Sequence, residues 1–256
     1  MKKVILVSID GMRPDGFLGC GNPFARELMA RGSYALDAQT VTPSVTLPCH
    51  MSMFHSVTPQ RHGITTNTYI PMVRPLNGLF EQINLCGGIS AFFYGWDPLR
   101  DIARPRAVKY AAFQQNYTTD GVDGILTDLA IHRIRESKPD FVFVYMGETD
   151  DKGGHDCGWM TETYLGYISK ALDNVKRLME AAGDEYTVVI TADHGGHDRT
   201  HGTEMPEDMT IPMVFVGPDF VPGQQLPQVS MLDIAPTIAK VMGVLPAREW
   251  EGKALV

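Results

Sequence analysis

The sequence has few cysteines, no excess of basic residues and no long apolar run. Its four cysteines, Cys20, Cys49, Cys86 and Cys157, include no CxxC pair. This argues against a zinc ribbon, a thioredoxin-like motif and a small disulfide scaffold. Such cysteines fit reduced thiols, so we expect a cytoplasmic protein. No segment approaches the ~20 apolar residues of a transmembrane helix, and the first apolar run stops at Asp10, which suits a strand better than a signal peptide.

The charge balance limits the partners. The chain has 22 Lys and Arg against 30 Asp and Glu, a formal net charge of −8. We therefore expect no nucleic-acid-binding face and no membrane partner, although metal ions could reverse the charge locally and admit a phosphate. A P-loop is excluded because no GxxxxGK[ST] stretch occurs. A homo-oligomer is compatible with these features.

Length and composition indicate one domain over residues 1–256. The chain is 44% hydrophobic and 20% charged, which is ordinary for a globular protein of this size. Strands that are apolar on both faces alternate with amphipathic helices, a pattern typical of an α/β fold whose mostly parallel central sheet has helices on both faces. We predict strands at 3–9, 89–94, 140–146, 186–192 and 211–216, with 34–41 extended, and helices at 23–31, 78–86, 119–137, 160–182 and 231–242. Residues 43–56 begin as a turn and then become helical, and the irregular stretch 65–118 is expected to form a partial cap over the site.

Acidic residues and histidines follow three of the predicted strands. Asp10 follows the first strand, residues 147–151 and His155 follow the strand at 140–146, and residues 193–201 follow the strand at 186–192. Ligands of open α/β sheets bind beyond the carboxyl ends of the strands, so these groups should converge. A single Asp after a strand is usually a turn residue. However, four of the eight histidines fall between positions 155 and 201, and Asp with His is a ligand set for zinc or manganese.

A candidate nucleophile lies in the segment 41–50, VTPSVTLPCH. Thr46 stands at the start of a helix with proline in its first turn, where free N–H groups favour an anion. A neighbouring metal would lower the pKa of its hydroxyl. Alternatively, Thr46 is only a helix cap. Thr42 and Ser44 are rival hydroxyls, and Cys49 is a rival nucleophile, although a Cys–His hydrolase would leave the Asp and His clusters unexplained.

These segments together resemble the alkaline phosphatase superfamily, on its nucleotide pyrophosphatase/phosphodiesterase branch. The similar stretches run in the same order from residue 3 to residue 252, and they are residues 8–15, 46–50, 59–64, 151–155, 193–195 and 233–237. The resemblance implies two divalent metal ions, zinc or alternatively manganese. It assigns one ion to Asp10, Thr46, Asp193 and His194, and the other to Asp151, His155 and His201.

Three assignments within this resemblance have rivals or structural readings. His197 competes with His201, because larger members place the last histidine after an insertion that this chain lacks. Asp150 competes with Asp151, but only Asp151 has the four-residue spacing to His155. His50 and His62 are expected to be buried and hydrogen-bonded.

The implied activity is hydrolysis of a small phosphate ester by Thr46 through a phosphothreonine. Asn67 falls where the branch contacts a phosphoryl oxygen, and an Asn instead of an Arg there favours a phosphodiester or nucleotide pyrophosphate over a monoester. Trp96 could stack on a flat leaving group, and Arg100 could contact the substrate.

Three other functions are the alternatives. The first is a phosphomonoesterase of the same superfamily. The second is a sulfatase-like hydrolase, although no Cys/Ser-x-Pro-x-Arg motif occurs. The third is a non-catalytic metal-binding sensor.

Overall fold

A seven-stranded sheet forms the centre of the computed structural model, which describes residues 1–116 and 119–256. The strands are β1 (Lys3–Ile9), β2 (Ser33–Gln39), β3 (Ser90–Tyr94), β4 (Tyr110–Phe113), β5 (Phe141–Met146), β6 (Tyr186–Thr191) and β7 (Thr210–Val216). Their order in the sheet is β2-β7-β6-β1-β5-β3-β4. Only β7 pairs antiparallel with its neighbours, and the other pairs are parallel. The predicted α/β fold with a mostly parallel sheet is confirmed.

Helices in the described ranges pack into two groups. The α-helices are α1 (Pro14–Gly19), α2 (Phe24–Arg31), α3 (Thr46–His55), α4 (Pro59–His62), α5 (Leu79–Leu85), α6 (Val122–Ser137), α7 (Glu162–Ala182), α8 (Pro206–Met209) and α9 (Ile234–Met242). Helices α1, α2 and α6 contact α7, whereas α3 and α5 contact α9. Both α7 and α9 contact β1, so the central strand is covered on two sides. None of these helices is long and apolar enough to cross a bilayer.

The central strands are buried along their length because helices cover both faces of the sheet. All six residues of β5 and all six of β6 are buried, which explains their continuous apolar sequences. Helix α7 begins where the Thr161 side chain accepts a hydrogen bond from the Tyr164 N–H, and it ends at Gly183. Because such signals are visible in the sequence, the predicted helix at 160–182 agrees with the observed limits of α7 to within two residues.

The stretch 65–118, for which a partial cap over the site is predicted, also builds part of the layers of the fold. It contributes α5 and the strands β3 and β4 to the layers of the fold. Its described connecting segments also supply Asn67, Trp96 and Asn116 to the cleft at the carboxyl edge of the sheet. Residues 117 and 118, at the end of this stretch, lie outside the described residues. Strand β4, at the edge of the sheet, has only four residues. A stretch of this length is too short to predict a strand from the sequence.

Helix α3 is buried over all ten of its residues, including two histidines. His55 Nδ1 donates a hydrogen bond to the Met51 carbonyl oxygen at 2.9 Å. Nearby, His62 Nδ1 accepts from the Ile64 N–H at 3.1 Å, so its Nε2 is the protonated nitrogen and donates to Ser52 Oγ at 3.0 Å. Burial lowers the pKa of His55 and that of His62 to about 4. Both rings are therefore neutral in the folded protein at pH 7.

We predict that His55 and His62 contribute to the free energy of unfolding, and that this contribution falls as the pH is lowered from about 6.5 toward 4. The unfolded chain takes up protons at these histidines near pH 6.5, whereas the folded chain resists until its pKa of about 4. The stability that these neutral histidines contribute is thus fully present above pH 6.5 and is lost on acidification. For His55 the loss between pH 7 and pH 5 should be about 2 kcal/mol.

Urea unfolding of metal-free wild type and His55→Gln at pH 7 and pH 5 measures this loss as the difference between the two proteins, because the buried carboxylates of the site titrate in both. His55→Gln should lose less stability than the wild type over the same interval. An equal loss in both proteins would contradict the assignment to His55.

Candidate metal centre and nucleophile

The candidate site lies at the carboxyl edge of three neighbouring strands. Strand β1 pairs with β5 on one side and with β6 on the other, so the residues after these strands meet. They border a cleft of about 250 Å³. The cleft is lined by Asp10, Thr46, Asn67, Trp96, Asn116, Tyr145, Asp150, Asp151, His155 and His201.

A first cluster surrounds the His194 ring. Its Nε2 lies 3.3 Å from Asp10 Oδ1, 3.3 Å from Asp193 Oδ2 and 3.2 Å from Thr46 Oγ1. None of these residues is more than 5% exposed. The structure thus brings together the four residues that the resemblance assigns to one metal.

Neighbouring groups orient this cluster. Tyr145 donates its hydroxyl to Asp10 Oδ2, the Gly11 N–H donates to Asp193 Oδ1, and His194 Nδ1 donates to the Gly195 carbonyl oxygen. The second oxygen of each aspartate and the second nitrogen of the histidine therefore point into the cluster. His50, fully buried as expected, bonds the Thr46 carbonyl oxygen with Nδ1 and Ser8 Oγ with Nε2.

Unsatisfied carboxylate oxygens show that this cluster fits a cation. Within the described structure, the buried atoms Asp10 Oδ1 and Asp193 Oδ2 have no hydrogen-bond partner, an arrangement that is costly for an ionised group. Burial raises the pKa of Asp10 and that of Asp193 to about 7. A divalent cation bound by these oxygens and His194 Nε2 would satisfy all three ligand atoms.

A second cluster lies beside the first. Asp150 Oδ2 is 3.4 Å from His155 Nε2, and Asp150 Oδ1 is 3.9 Å from His201 Nε2. Asp150 Oδ1 is also buried without a partner among the described residues. The His201 ring stacks on the His194 ring with 3.8 Å between centroids, and ligand atoms of Asp150, His194 and His201 lie within 4.8 Å of one another. The two clusters are therefore in direct contact.

Asp150, and not the Asp151 favoured by spacing, faces the two histidines. Residues Thr149–His155 form a π-helix, in which hydrogen bonds join residues five apart instead of four. Asp150 and His155 are five residues apart, so this turn places them on one face. Asp151 borders the cleft but pairs with Lys152 at 3.6 Å. Asp151 Oδ2 is also buried without a hydrogen-bond partner in the described structure, so the four-residue spacing to His155 keeps Asp151 as a predicted ligand beside Asp150.

His201, and not His197, completes this cluster. His197 Nδ1 bonds Asp208 Oδ1 at 2.7 Å, on the far side of the loop. His201 Nδ1 donates to the Ser44 carbonyl oxygen at 2.9 Å, which leaves its Nε2 toward Asp150. Ser44 Oγ donates to the Thr203 carbonyl oxygen at 2.8 Å, so this rival hydroxyl is engaged elsewhere.

The three remaining predicted residues differ in position. Asn67 and Trp96 line the cleft, and Asn67 Oδ1 accepts the Leu47 N–H at 3.0 Å. Arg100 does not line it. Its side chain is 60% exposed and pairs with Asp97 and Asp101. The 3₁₀ turn Asp97–Ile102 brings those acids to the arginine. Their positions, three residues before Arg100 and one residue after it, could have been read from the sequence.

Two cleft residues were missed in the sequence. Tyr145 was read only as part of a buried strand, and nothing there signalled its bond to Asp10. The Asn116 amide lies close to Gly95 and Gly147. A Cβ at Gly95 would be 1.8 Å from its Oδ1, and one at Gly147 would be 2.0 Å from its Nδ2. The sequence signal that could have indicated a close neighbour at this place is a glycine directly after each of the two strands, β3 and β5.

Comparison with known families identifies the class of protein. Residues 4–84 match the model "Type I phosphodiesterase / nucleotide pyrophosphatase". Residues 101–246, more than half of the chain, match the model "Metalloenzyme superfamily". The chain belongs to the metalloenzyme superfamily. This metalloenzyme match, with the phosphodiesterase match, confirms the resemblance to the phosphodiesterase branch of the alkaline phosphatase superfamily.

Curated relatives of this metalloenzyme are distant and longer. Ectonucleotide pyrophosphatase/phosphodiesterase family member 1 of Rattus norvegicus is 23% identical over 217 residues, covering 75% of this chain and 24% of the relative. The 2,3-bisphosphoglycerate-independent phosphoglycerate mutase of Clostridium tetani is 27% identical over 136 residues, 50% of this chain and 26% of the relative. The matched part is thus about a quarter of each relative.

Solved structures show the same fold at low identity. Human ectonucleotide pyrophosphatase/phosphodiesterase 5 superposes with a TM-score of 0.84 at 15% identity, covering 98% of this chain and 97% of that one. A 2-O GAG sulfatase superposes with a TM-score of 0.79 at 17% identity, covering 99% and 73%. Since one fold serves several chemistries, the reaction has to be argued from the site.

We predict that Asp150→Asn loses one of two bound metal ions, whereas Asp151→Asn keeps both. The structure places only Asp150 against His155 and His201. Metal content after dialysis, measured by inductively coupled plasma mass spectrometry, compares the two variants with the wild type. The opposite pattern would restore Asp151 as the ligand and would contradict the role of the π-helix.

Proposed function

We propose that this protein is a two-metal phosphodiesterase with Thr46 as its nucleophile. The observation that carries the proposal is the position of Thr46 Oγ1, 3.2 Å from His194 Nε2 at the first residue of the buried helix α3. A hydroxyl beside a carboxylate–histidine cluster and at a helix N-terminus is placed to attack an anionic ester.

The residues that would hold the ions divide as the two clusters do. Asp10, Thr46, Asp193 and His194 would hold one ion, and Asp150, His155 and His201 the other. Their nitrogen and oxygen donors suit zinc, with manganese as the alternative. When bound, two such ions lower the pKa of a nucleophilic hydroxyl and neutralise charge on a phosphoryl group.

The chain's own groups would carry out the displacement. Thr46 Oγ, deprotonated, attacks phosphorus while the bond to the leaving oxygen breaks, and the released alkoxide takes a proton from water. The resulting phosphothreonine is then cleaved by water, which restores the Thr46 hydroxyl and releases a phosphate monoester.

Asn67 and the helix N-terminus are placed to hold a phosphoryl oxygen. Because Asn67 Oδ1 accepts the Leu47 N–H, its NH₂ group is the end left to donate toward the cleft. The N–H of Thr46 lies at the first position of α3, and Pro48 has none to offer. Fixed donors of this kind stabilise charge that develops on the phosphoryl group.

The charges around the cleft favour a diester over a monoester. Asp10, Asp150, Asp193 and an ionised Thr46 would balance two divalent ions, and Lys152 offsets Asp151 at 3.6 Å. Among the described residues that line the cleft, none is an arginine or lysine, and Arg100 is paired at the surface. A monoester dianion would bring one negative charge more than a diester anion, with no further cation among the described lining residues of the cleft to compensate it.

The other candidate functions lack a comparable observation. A sulfatase-like enzyme needs Cys or Ser where this chain has Thr46. A phosphomonoesterase would need a further cation for the monoester dianion, which the cleft does not offer among its described lining residues. A metal sensor would not need a hydroxyl beside His194.

We also propose a cytoplasmic location, because the four cysteines form no disulfide in the described structure.

We predict that zinc-loaded protein hydrolyses bis(4-nitrophenyl) phosphate with at least ~10-fold higher kcat/KM than 4-nitrophenyl phosphate. Release of nitrophenolate measures both reactions. The expected ratio follows from the missing cation, since the one additional negative charge of the monoester in a partly buried cleft costs more than ~1.4 kcal/mol, or about a factor of ten. A preference for the monoester would overturn the assignment to diesters.

We predict that Thr46→Ala lowers diester turnover by ~10³ or more, because removal of a nucleophile usually costs at least that much. Thr46→Ser, which keeps a hydroxyl, is the matched control and should retain most activity. Full activity in Thr46→Ala would exclude Thr46 as nucleophile. Two bound metal ions with no hydrolysis of either ester by the wild type would favour the sensor.

A further inference from the structure

His201 lies on a loop between β6 and α8 that has little regular structure of its own. The loop is exposed at Arg199, Thr200 and Glu204, and Gly202 has a φ of +105°. A histidine on such a segment would ordinarily lose conformational entropy when it binds a metal. Its well-defined position therefore needs a structural cause.

The first cause is a pair of hydrogen bonds to the loop that carries Thr46. His201 Nδ1 donates to the Ser44 carbonyl oxygen at 2.9 Å, and Ser44 Oγ donates to the Thr203 carbonyl oxygen at 2.8 Å. Ser44 is fully buried. Two bonds running in opposite directions thus join the segments on which Thr46 and His201 lie.

The second cause is the Asp208 carboxylate, which is also fully buried. Its Oδ2 accepts the Thr203 N–H at 2.9 Å and the Thr203 hydroxyl at 2.7 Å. Its Oδ1 bonds His197 Nδ1 at 2.7 Å. The carboxylate therefore ties together the two sides of the loop, four residues before His201 and two residues after it.

We infer that Ser44 and Asp208 are positioning residues for the second metal site, which hold His201 Nε2 toward Asp150 without touching metal or substrate themselves. The inference rests on the proposed function, because it supposes that the second cluster binds a metal ion. A partner that fixes the ring of a metal-ligating histidine typically accounts for 10–100-fold in metal affinity. Here the hydrogen bonds that support His201 come from Ser44, on the loop that carries Thr46. The positions of the nucleophile and of the second metal site are therefore coupled.

The test measures zinc affinity in the full chain by competition with a chromophoric chelator. Ser44→Ala and Asp208→Asn should each weaken zinc binding at the second site by about threefold to tenfold, below the loss expected when the group bonded to the histidine ring is itself removed. Both variants keep the Ser44 carbonyl oxygen bonded to His201 and lose only bonds that fix the two loops. Zinc binding at the first site should change by less than about twofold. Excess zinc should restore kcat for the diester, a rescue that general unfolding would not permit.

Matched controls make the same chemical changes away from the cleft. Ser33 Oγ donates to the Val221 carbonyl oxygen at 2.9 Å, and Asp233 accepts the N–H groups of Ser230 and Lys253. Ser33→Ala and Asp233→Asn should leave both zinc affinities unchanged. If Asp208→Asn fails to fold, Thr203→Val, which removes a single hydroxyl bond to Asp208, should still weaken the second equivalent selectively.

Unchanged affinity for both equivalents in folded Ser44→Ala and Thr203→Val would overturn the positioning role and leave the proposed function intact. Wild-type protein that binds fewer than two zinc equivalents would instead overturn the two-metal proposal, and the positioning role with it.

Discussion

Mutual repulsion among three buried carboxylates is the constraint on which the site depends. Asp10, Asp150 and Asp193 meet where β1, β5 and β6 end, and each has an oxygen without a hydrogen-bond partner in the described structure. Burial, and then the charges of Asp10 and Asp193, raise the pKa of Asp150 well above its usual value. Negative charge in a site of low polarity is stable only when cations balance it. The surrounding histidines and the N-terminus of α3 stand where such cations would be held, since the described lining of the cleft offers no Arg or Lys to balance the charge.

The surrounding fold holds the carboxylates of the first cluster in fixed positions. Strand β1 lies between β5 and β6, and its buried residues allow Asp10 little movement. Bonds from Tyr145 and the Gly11 N–H hold the outer oxygens of Asp10 and Asp193. The inner oxygens are thereby directed at His194, so the free energy of ordering the ligands is supplied by folding and not by metal binding.

The two halves of the site differ in how much the sequence revealed. Asp10, Asp193 and His194 follow directly on strands that are apolar throughout, and residues in that position must lie at the carboxyl edge of the sheet. Thr46 precedes a recognisable helix. Asp150 and His155 were harder to pair, because a π-helix and an α-helix of this length have no distinguishing composition. Arg100 was misplaced because its nearby acids, Asp97 and Asp101, were visible in the sequence but were not weighed against a role in the cleft.

The sequence by itself determined the α/β architecture, the family resemblance and the residues of the first cluster. These depend on local signals, namely strand periodicity, helix ends and residues directly after a strand. Only the tertiary structure decided that Asp150 faces the histidines, that His201 and not His197 reaches them, and that Ser44 is engaged by Thr203. Each of these depends on a contact between segments far apart in the chain, or on a helical turn that local preferences do not specify. Such contacts exist only once the core has set the distance between the loops.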